Sequence, residues 1–253
     1  MLHRLRAAAL FLVLTLLVAA AIAIPIHFLW YPGALFSQAG GRELFFLIVG
    51  VELVLGPIVV FVIYRPGKKG LLFDLVTLGI LQLVALSFGI WVLFQSRPAY
   101  VVFVKDRFDL VRANEILPEE LAKARAGPFA EIPLAGPKVV GAEMPKDPDE
   151  QFRITMSAMS GGGDVQNSPQ YYVPYDDVRG YVLLAAKPIA RLRELNPGRA
   201  GDIDAIVRDH GGAEEGLRFL PMRAGKFIDL AVVVDSVRGD VLEISALRPW
   251  EFK

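Results

Sequence analysis

The run Leu44–Tyr64 (LFFLIVGVELVLGPIVVFVIY), the loop Arg65-Pro66-Gly67-Lys68-Lys69-Gly70 and the run Leu71–Phe94 (LLFDLVTLGILQLVALSFGIWVLF) decide the fold of this chain. The two apolar runs hold 21 and 24 residues. About 20 apolar residues in a helix cross the hydrocarbon of a bilayer, so each run is long enough to span one. Each also carries an acid where an apolar residue is expected: Glu52 in the first, Asp74 near the start of the second.

A charge near mid-membrane costs roughly 2.5–3.5 kcal/mol on insertion scales, so Glu52 is expected to face protein or water, or to be protonated. Glu52 lies twelve residues before Tyr64, and Gln82 eleven residues after Leu71. At about 1.5 Å per residue the two share a depth to within a turn, which makes a Glu52–Gln82 hydrogen bond available. That bond either pins the hairpin or leaves a polar group for a partner helix. Gly56-Pro57 follows one turn after Glu52. Pro57 cannot donate to the carbonyl of Leu53, so a kink or opening is expected beside the acid. Ala85 and Gly89, four apart and near the Gln82 face, are small enough for close helix approach. Asp74 is expected to pair with Arg65, Lys68 or Lys69.

Upstream, His3, Arg4 and Arg6 precede an apolar run from Ala7 to Trp30, read as a third spanning helix. Ala21-Ile22-Ala23 resembles a signal-peptide cleavage site, but the preceding apolar part is longer than usual, and an uncleaved helix is preferred. Residues 31–43, with Pro32, Gly33, Gly40 and Gly41, read as a loop, with Trp30 and Tyr31 as aromatic anchors at the interface. Arg4, Arg6, Arg65, Lys68 and Lys69 lie on one side. The positive-inside rule then puts the N-terminus and loop 65–70 in the cytoplasm and residues 97–253 outside, which in a bacterium is the periplasm. Arg97, Lys105 and Arg107 argue the other way but are outnumbered.

Charge divides the chain in two. Residues 1–96 contain nine of the 54 Asp, Glu, Lys and Arg residues. Residues 97–253 carry 21 basic and 24 acidic ones, a balance with no strong claim on nucleic acid. The sequence has no cysteine, which excludes disulfides, thiolate metal sites and a Cys nucleophile. After Arg97-Pro98, alternation predicts a hairpin from Ala99–Val104 and Phe108–Ala113. Helices are expected over Pro118–Ala126, from an Asp147 cap to Met159, and over Asp176–Ala186, Pro188–Leu195 and Asp202–His210. Strands are expected at Lys138–Glu143, Leu217–Met222, Phe227–Asp235 and Val241–Leu247. The expected class is α+β: three N-terminal transmembrane helices (7–30, 44–64, 71–94) in residues 1–96, then a periplasmic α+β domain, 97–253, with a mainly antiparallel sheet.

Catalytic signals are poor. His210 is the one histidine beyond residue 96, and it reads as a helix C-terminal residue. Gly161-Gly162-Gly163 is not followed by Lys-Ser or Lys-Thr, so it is no phosphate loop. The acids are scattered, with no metal-ligand spacing. No catalytic residue, metal or cofactor is expected.

Glu52-x-x-x-Gly56-Pro57, Pro66-Gly67-Lys68-Lys69, Phe73-Asp74-Leu75, Gln82, Ala85-Leu86, Gly89, Arg97-Pro98-x-Tyr100-x-x-Phe103 and Asp106-Arg107-Phe108 together resemble the TfpX/TfpZ family of type IV pilin accessory proteins, related to the fimbrial assembly proteins called FimB. The resemblance is close over residues 50–115. It returns at Phe219-Leu220-Pro221-Met222 and Arg248-Pro249-Trp250. It implies a non-enzymatic inner-membrane protein that assists a cognate major pilin before polymerisation, with lipid as its other neighbour and no small-molecule substrate. Glu52, Gly56, Pro57, Gln82, Ala85 and Gly89 are the candidate partner-binding residues. Arg65, Lys68, Lys69, Asp74, Arg97 and Pro98 are candidate structural and topology residues. The alternatives are a membrane-tethered periplasmic ligand-binding or sensor module and, less favoured by the missing motifs, an anchored hydrolase.

Overall fold

A computed structural model describes residues 1–124, 127–225 and 228–251. Three helices are long and apolar enough to cross a membrane: Leu2–Trp30, Gly41–Ile63 and Leu71–Gln95. The first comprises α1 (Leu2–Pro25) and a π-helical turn, Ile26–Trp30. The Tyr31 amide donates to the Ile26 carbonyl five residues back, at 2.9 Å. Pro25 lacks an N–H, and the wider turn follows directly after it. A short α2 (Leu35–Gln38) occupies the expected loop, and α3 (Gly41–Ile63) begins three residues early. The helical backbone of α3 continues unbroken through Pro57. Gly67 and Gly70 take positive φ in the basic loop, and Gly70 caps α4 (Leu71–Gln95).

Beyond α4 run β1 (Pro98–Val104), β2 (Arg107–Arg112), α5 (Pro118–Lys123), β3 (Lys138–Ala142), α6 (Pro148–Met159), β4 (Tyr172–Pro174), α7 (Tyr175–Ala185), β5 (Lys187–Pro188), α8 (Ile189–Leu195), α9 (Ala200–Asp209), β6 (Leu217–Arg223), β7 (Asp229–Asp235) and β8 (Val241–Ser245). The expected helix start is present: the Asp147 side chain accepts from the Asp149 amide at 2.9 Å, with Pro148 in the first turn. The expected helix end at 125–126 and strand start at Phe227 lie outside the described residues.

Among the described residues the strands form one sheet, ordered β4-β3-β1-β2-β6-β7-β8. β1–β2, β3–β4, β5–β6, β6–β7 and β7–β8 are antiparallel. β1–β3 and β2–β6 are parallel, so the sheet is mixed. β1 and β8, the first and last strands, share it. β5 pairs the stretch of β6 at Arg218 and Phe219, whereas β2 pairs Met222 and Arg223.

Alternation along the strands makes two apolar faces. One face packs against α6, α8 and α9, through Val102, Val140 and Ile154 and through Phe219, Val233, Leu192 and Ile206. The other face carries Phe103, Phe108, Met222 and Val232. It joins a single core with α7 and with the sheet-proximal ends of the apolar helices, including Ile26, Leu35, Phe45 and Leu93. The sheet therefore stands directly on the helices.

Polar contacts lock this junction. Tyr31 is fully buried, not an interfacial anchor as its sequence position predicts. Its hydroxyl donates to the Leu93 carbonyl at 3.1 Å, one of the carbonyls left over at the end of α4. Burial pushes that hydroxyl up to about 12, against the opposing pull of Arg112 and Arg97. A β-carbon on Gly41 would lie 2.7 Å from the Tyr31 ring, so α3 must begin with glycine there. Arg97 is buried over the Phe94 ring and donates to the Pro133 carbonyl (2.7 and 3.1 Å) and the Phe94 carbonyl (2.6 Å). The Gly136 amide donates to the Leu29 carbonyl.

Candidate functional site: a groove among the apolar helices

α3 packs against both α1 and α4, whereas α1 and α4 barely touch. A cavity of about 240 Å³ opens between them, with α3 as its floor. Phe11 and Thr15 of α1, Val49 and Glu52 of α3, and Gln82 and Leu86 of α4 line it. The buried stripe of α3 is Gly41, Phe45, Val49, Glu52, Gly56 and Val60, at helical spacing. Glu52 therefore lies on the packed face and is 8% exposed.

The structure brings Glu52 and Gln82 together, their side chains side by side on the same cavity. Gln82 Oε1 is buried without a partner among the described residues. Gly56 makes this arrangement possible, because Gln82 Nε2 sits where its β-carbon would be, with a Phe11 ring carbon 2.7 Å from the same point. Gly89 has the same role nearer the sheet, where a β-carbon would lie 2.6 Å from Ile48. Ala85 stands outside this contact. It is exposed, because the packed face of α4 runs through Gln82, Leu86, Gly89 and Leu93. Pro57 is half-buried beside Gly56. Asp74 pairs with Lys68, while Arg65 and Lys69 are exposed in the loop. Pro98 is buried at the start of β1, next to Arg97.

A second cavity, about 580 Å³ and polar, lies where β2 meets β6. Arg107, Asp109, Asp164 and Arg223 line it, with Gly161–Gly163 at its rim. Asp109 is buried, and Arg107 Nε donates to its Oδ2 at 3.1 Å. Burial pushes the Asp109 carboxyl up to about 6, opposed by Arg107 and Arg223. Sequence reasoning missed this acid by treating the acids as scattered surface. The available signal was its shared parity with Val111 in β2, which puts it on the other apolar face from Phe108 and Leu110. His210 closes α9, as expected, and its Nε2 lies 3.1 Å from Glu243 of β8. No group of three His, Asp or Glu suited to a metal occurs among the described residues.

The chain is similar to the fimbrial assembly protein of serogroup I from Dichelobacter nodosus, 30% identical over 226 residues, covering 88% of this chain and 87% of the relative. The chain belongs to the fimbrial assembly protein family. The serogroup E1 protein of the same organism is 28% identical over 225 residues, with the same coverage. The fimbrial assembly protein of serogroups C1 and C2 is 35% identical over 113 residues, covering 44% of this chain and 86% of that one. No family model matches the chain, and no solved structure matches it. The apolar helices give this family member the features of a membrane protein.

Proposed function

We propose that this protein is a non-enzymatic accessory factor that shelters a cognate type IV major pilin in the bacterial inner membrane before it is polymerised. The N-terminus and loop 65–70 lie in the cytoplasm, and residues 97–253 form a periplasmic domain above the membrane unit 1–96. The pilin's apolar helix, which carries its own glutamate, enters between α1 and α4. The observation that carries this reading is the open groove lined by Glu52 on its floor and Gln82 on its α4 wall. Three helices with one side unfilled leave room for a fourth. A polar pair in hydrocarbon gives that fourth helix a specific depth at which to stop. Gly56, Pro57 and Gly89 hold the floor in shape, and Ala85 offers a small exposed contact on α4.

The test is co-purification of the pilin with Glu52→Leu and Gln82→Leu variants. Pilin recovery falls while the accessory protein still accumulates. Unchanged pilin recovery rejects the groove. Loss of the accessory protein itself assigns the pair to pinning the hairpin.

The polar cavity at Asp109 favours a second reading, a membrane-tethered ligand-binding or sensor module. On that reading, Asp109→Ala abolishes surface fimbriation and leaves pilin recovery intact.

A further inference from the structure

Arg107 and Asp109 stand two residues apart on β2, and Arg223 of β6 pairs in register with Asp109, so the three share one face of the sheet. Asp164, the 3-10 turn Val165–Asn167 and Glu120 of α5 complete the lining of the polar cavity, which measures about 580 Å³.

The polar groups of this cavity are only partly used. Arg107 Nε donates to Asp109 Oδ2 at 3.1 Å, which fixes the guanidinium and leaves its two Nη groups without a partner among the described residues. Arg223 lies 5.7 Å from the centre of the Trp250 ring, and its guanidinium makes no hydrogen bond among the described residues. Glu120 Oε1 accepts from Lys123 Nζ at 2.6 Å, but its Oε2 is buried without a donor. Gln166 Oε1 is buried without a donor as well. Two guanidinium edges therefore lack acceptors, and two buried oxygens lack donors. Buried polar atoms are ordinarily paired, and leaving one unpaired is destabilising.

We infer that this cavity binds a small zwitterion, an α-amino acid or short peptide, whose carboxylate meets Arg107 and Arg223 and whose ammonium meets Glu120 and Gln166. The inference rests on the second reading above, in which this cavity takes a ligand, and it names that ligand's class. The charge pattern selects the class. A phosphate or other dianion would bring its charge against Asp109 and Asp164, and a simple cation would face both guanidinium groups. A zwitterion serves both ends at once, and a guanidinium fork matches a carboxylate bidentately. The glycines 161–163 at the rim carry no side chains, so a peptide backbone can lie against them. The volume is in the ordinary range for a small-ligand site.

Isothermal titration of the full-length protein in detergent micelles with glycine, diglycine and triglycine reads the spacing of the two ends. At least one of the three is expected to bind, and to bind about tenfold more tightly than its N-acetyl form and its C-terminal amide form. Arg223→Gln, at an exposed position, should abolish the preference over the amide and keep the preference over the N-acetyl form. Glu120→Gln should do the reverse. Equal binding of either blocked form by wild type overturns the inference, a result that needs no variant to fold. Preferences unchanged in both variants overturn it too, as does failure of all three ligands to bind. If Asp109→Ala then still abolishes surface fimbriation with pilin recovery intact, the second reading stands with another ligand. If it leaves surface fimbriation intact, both fall.

Discussion

Gln82 Nε2 on α4 fills the space that a β-carbon on Gly56 of α3 would need, so one glycine sets how closely the two helices approach and where the polar pair lies. Gly56→Ala should be harmful although alanine is the better helix former by about 1 kcal/mol. The added methyl displaces Gln82 and meets the Phe11 ring, an overpacking cost of about 1–3 kcal/mol. A lower melting temperature in detergent is expected. Adding Gln82→Ala should return some of the loss; no return would mean that Phe11 alone is responsible.

Tyr31→Phe removes the hydroxyl that caps the Leu93 carbonyl in a buried position. The expected loss is about 1–2 kcal/mol, read as a lower unfolding temperature. The Tyr31 hydroxyl sits at about 12, above its ordinary value, so the protonated form is favoured in the folded state. That contribution persists through mild alkali and is lost as pH rises through 12. Ultraviolet titration of wild type against Tyr31→Phe should show no difference at pH 10.

Arg97 joins the end of α4 to Pro133 through three hydrogen bonds and covers the Phe94 ring. Arg97→Lys cannot reproduce the planar fork, so it should resemble Arg97→Ala more than wild type. Faster proteolysis between Gly127 and Lys138 is the expected sign in both. Wild-type cleavage rates in the lysine variant would show that charge alone suffices.

Asp109 titrates at about 6, raised by burial. A raised acid favours the protonated form in the folded state, so its contribution is present below about 4 and lost as pH rises through 6. Wild type should therefore lose stability between pH 4 and 7 by about 1–3 kcal/mol from this group. Asp109→Asn should flatten that slope. An unchanged slope would mean that Arg107 and Arg223 already hold the carboxylate ionised.

Lys68 and Asp74 form a largely exposed pair at the loop end of α4. Asp74→Asn is expected to change stability by less than about 1 kcal/mol. A larger loss, measured by chemical denaturation in detergent, would point to a second role for Asp74.

The hairpin Leu44–Phe94 was legible because its length and apolarity leave few alternatives, and helical spacing put Glu52, Gly56 and Gln82 on facing sides. The main strands were legible by alternation. Tyr172–Pro174 was not, because three residues carry no period. It becomes a strand only by pairing with β3, where Gly141 lies opposite Val173. Ala85 shows the limit of spacing. It is three residues from Gln82 where Leu86 is four, yet the rotation of the helix turns it outward, and only the packed partner sets that rotation.

By itself the sequence determined three helices long enough for a bilayer, an α+β region beyond them and an acid that had to be sheltered. These follow from local rules: rise per residue, side-chain period and the cost of a charge in hydrocarbon. The tertiary structure alone decided that α1 and α4 stand apart over α3, that β1–β3 and β2–β6 run parallel, and that Tyr31 and Arg97 are buried where the sheet meets the helices. A periodic pattern shows that a face must be covered but not what covers it. That choice is made by close contacts between residues far apart in the chain, such as Gln82 on Gly56 and Tyr31 on Gly41.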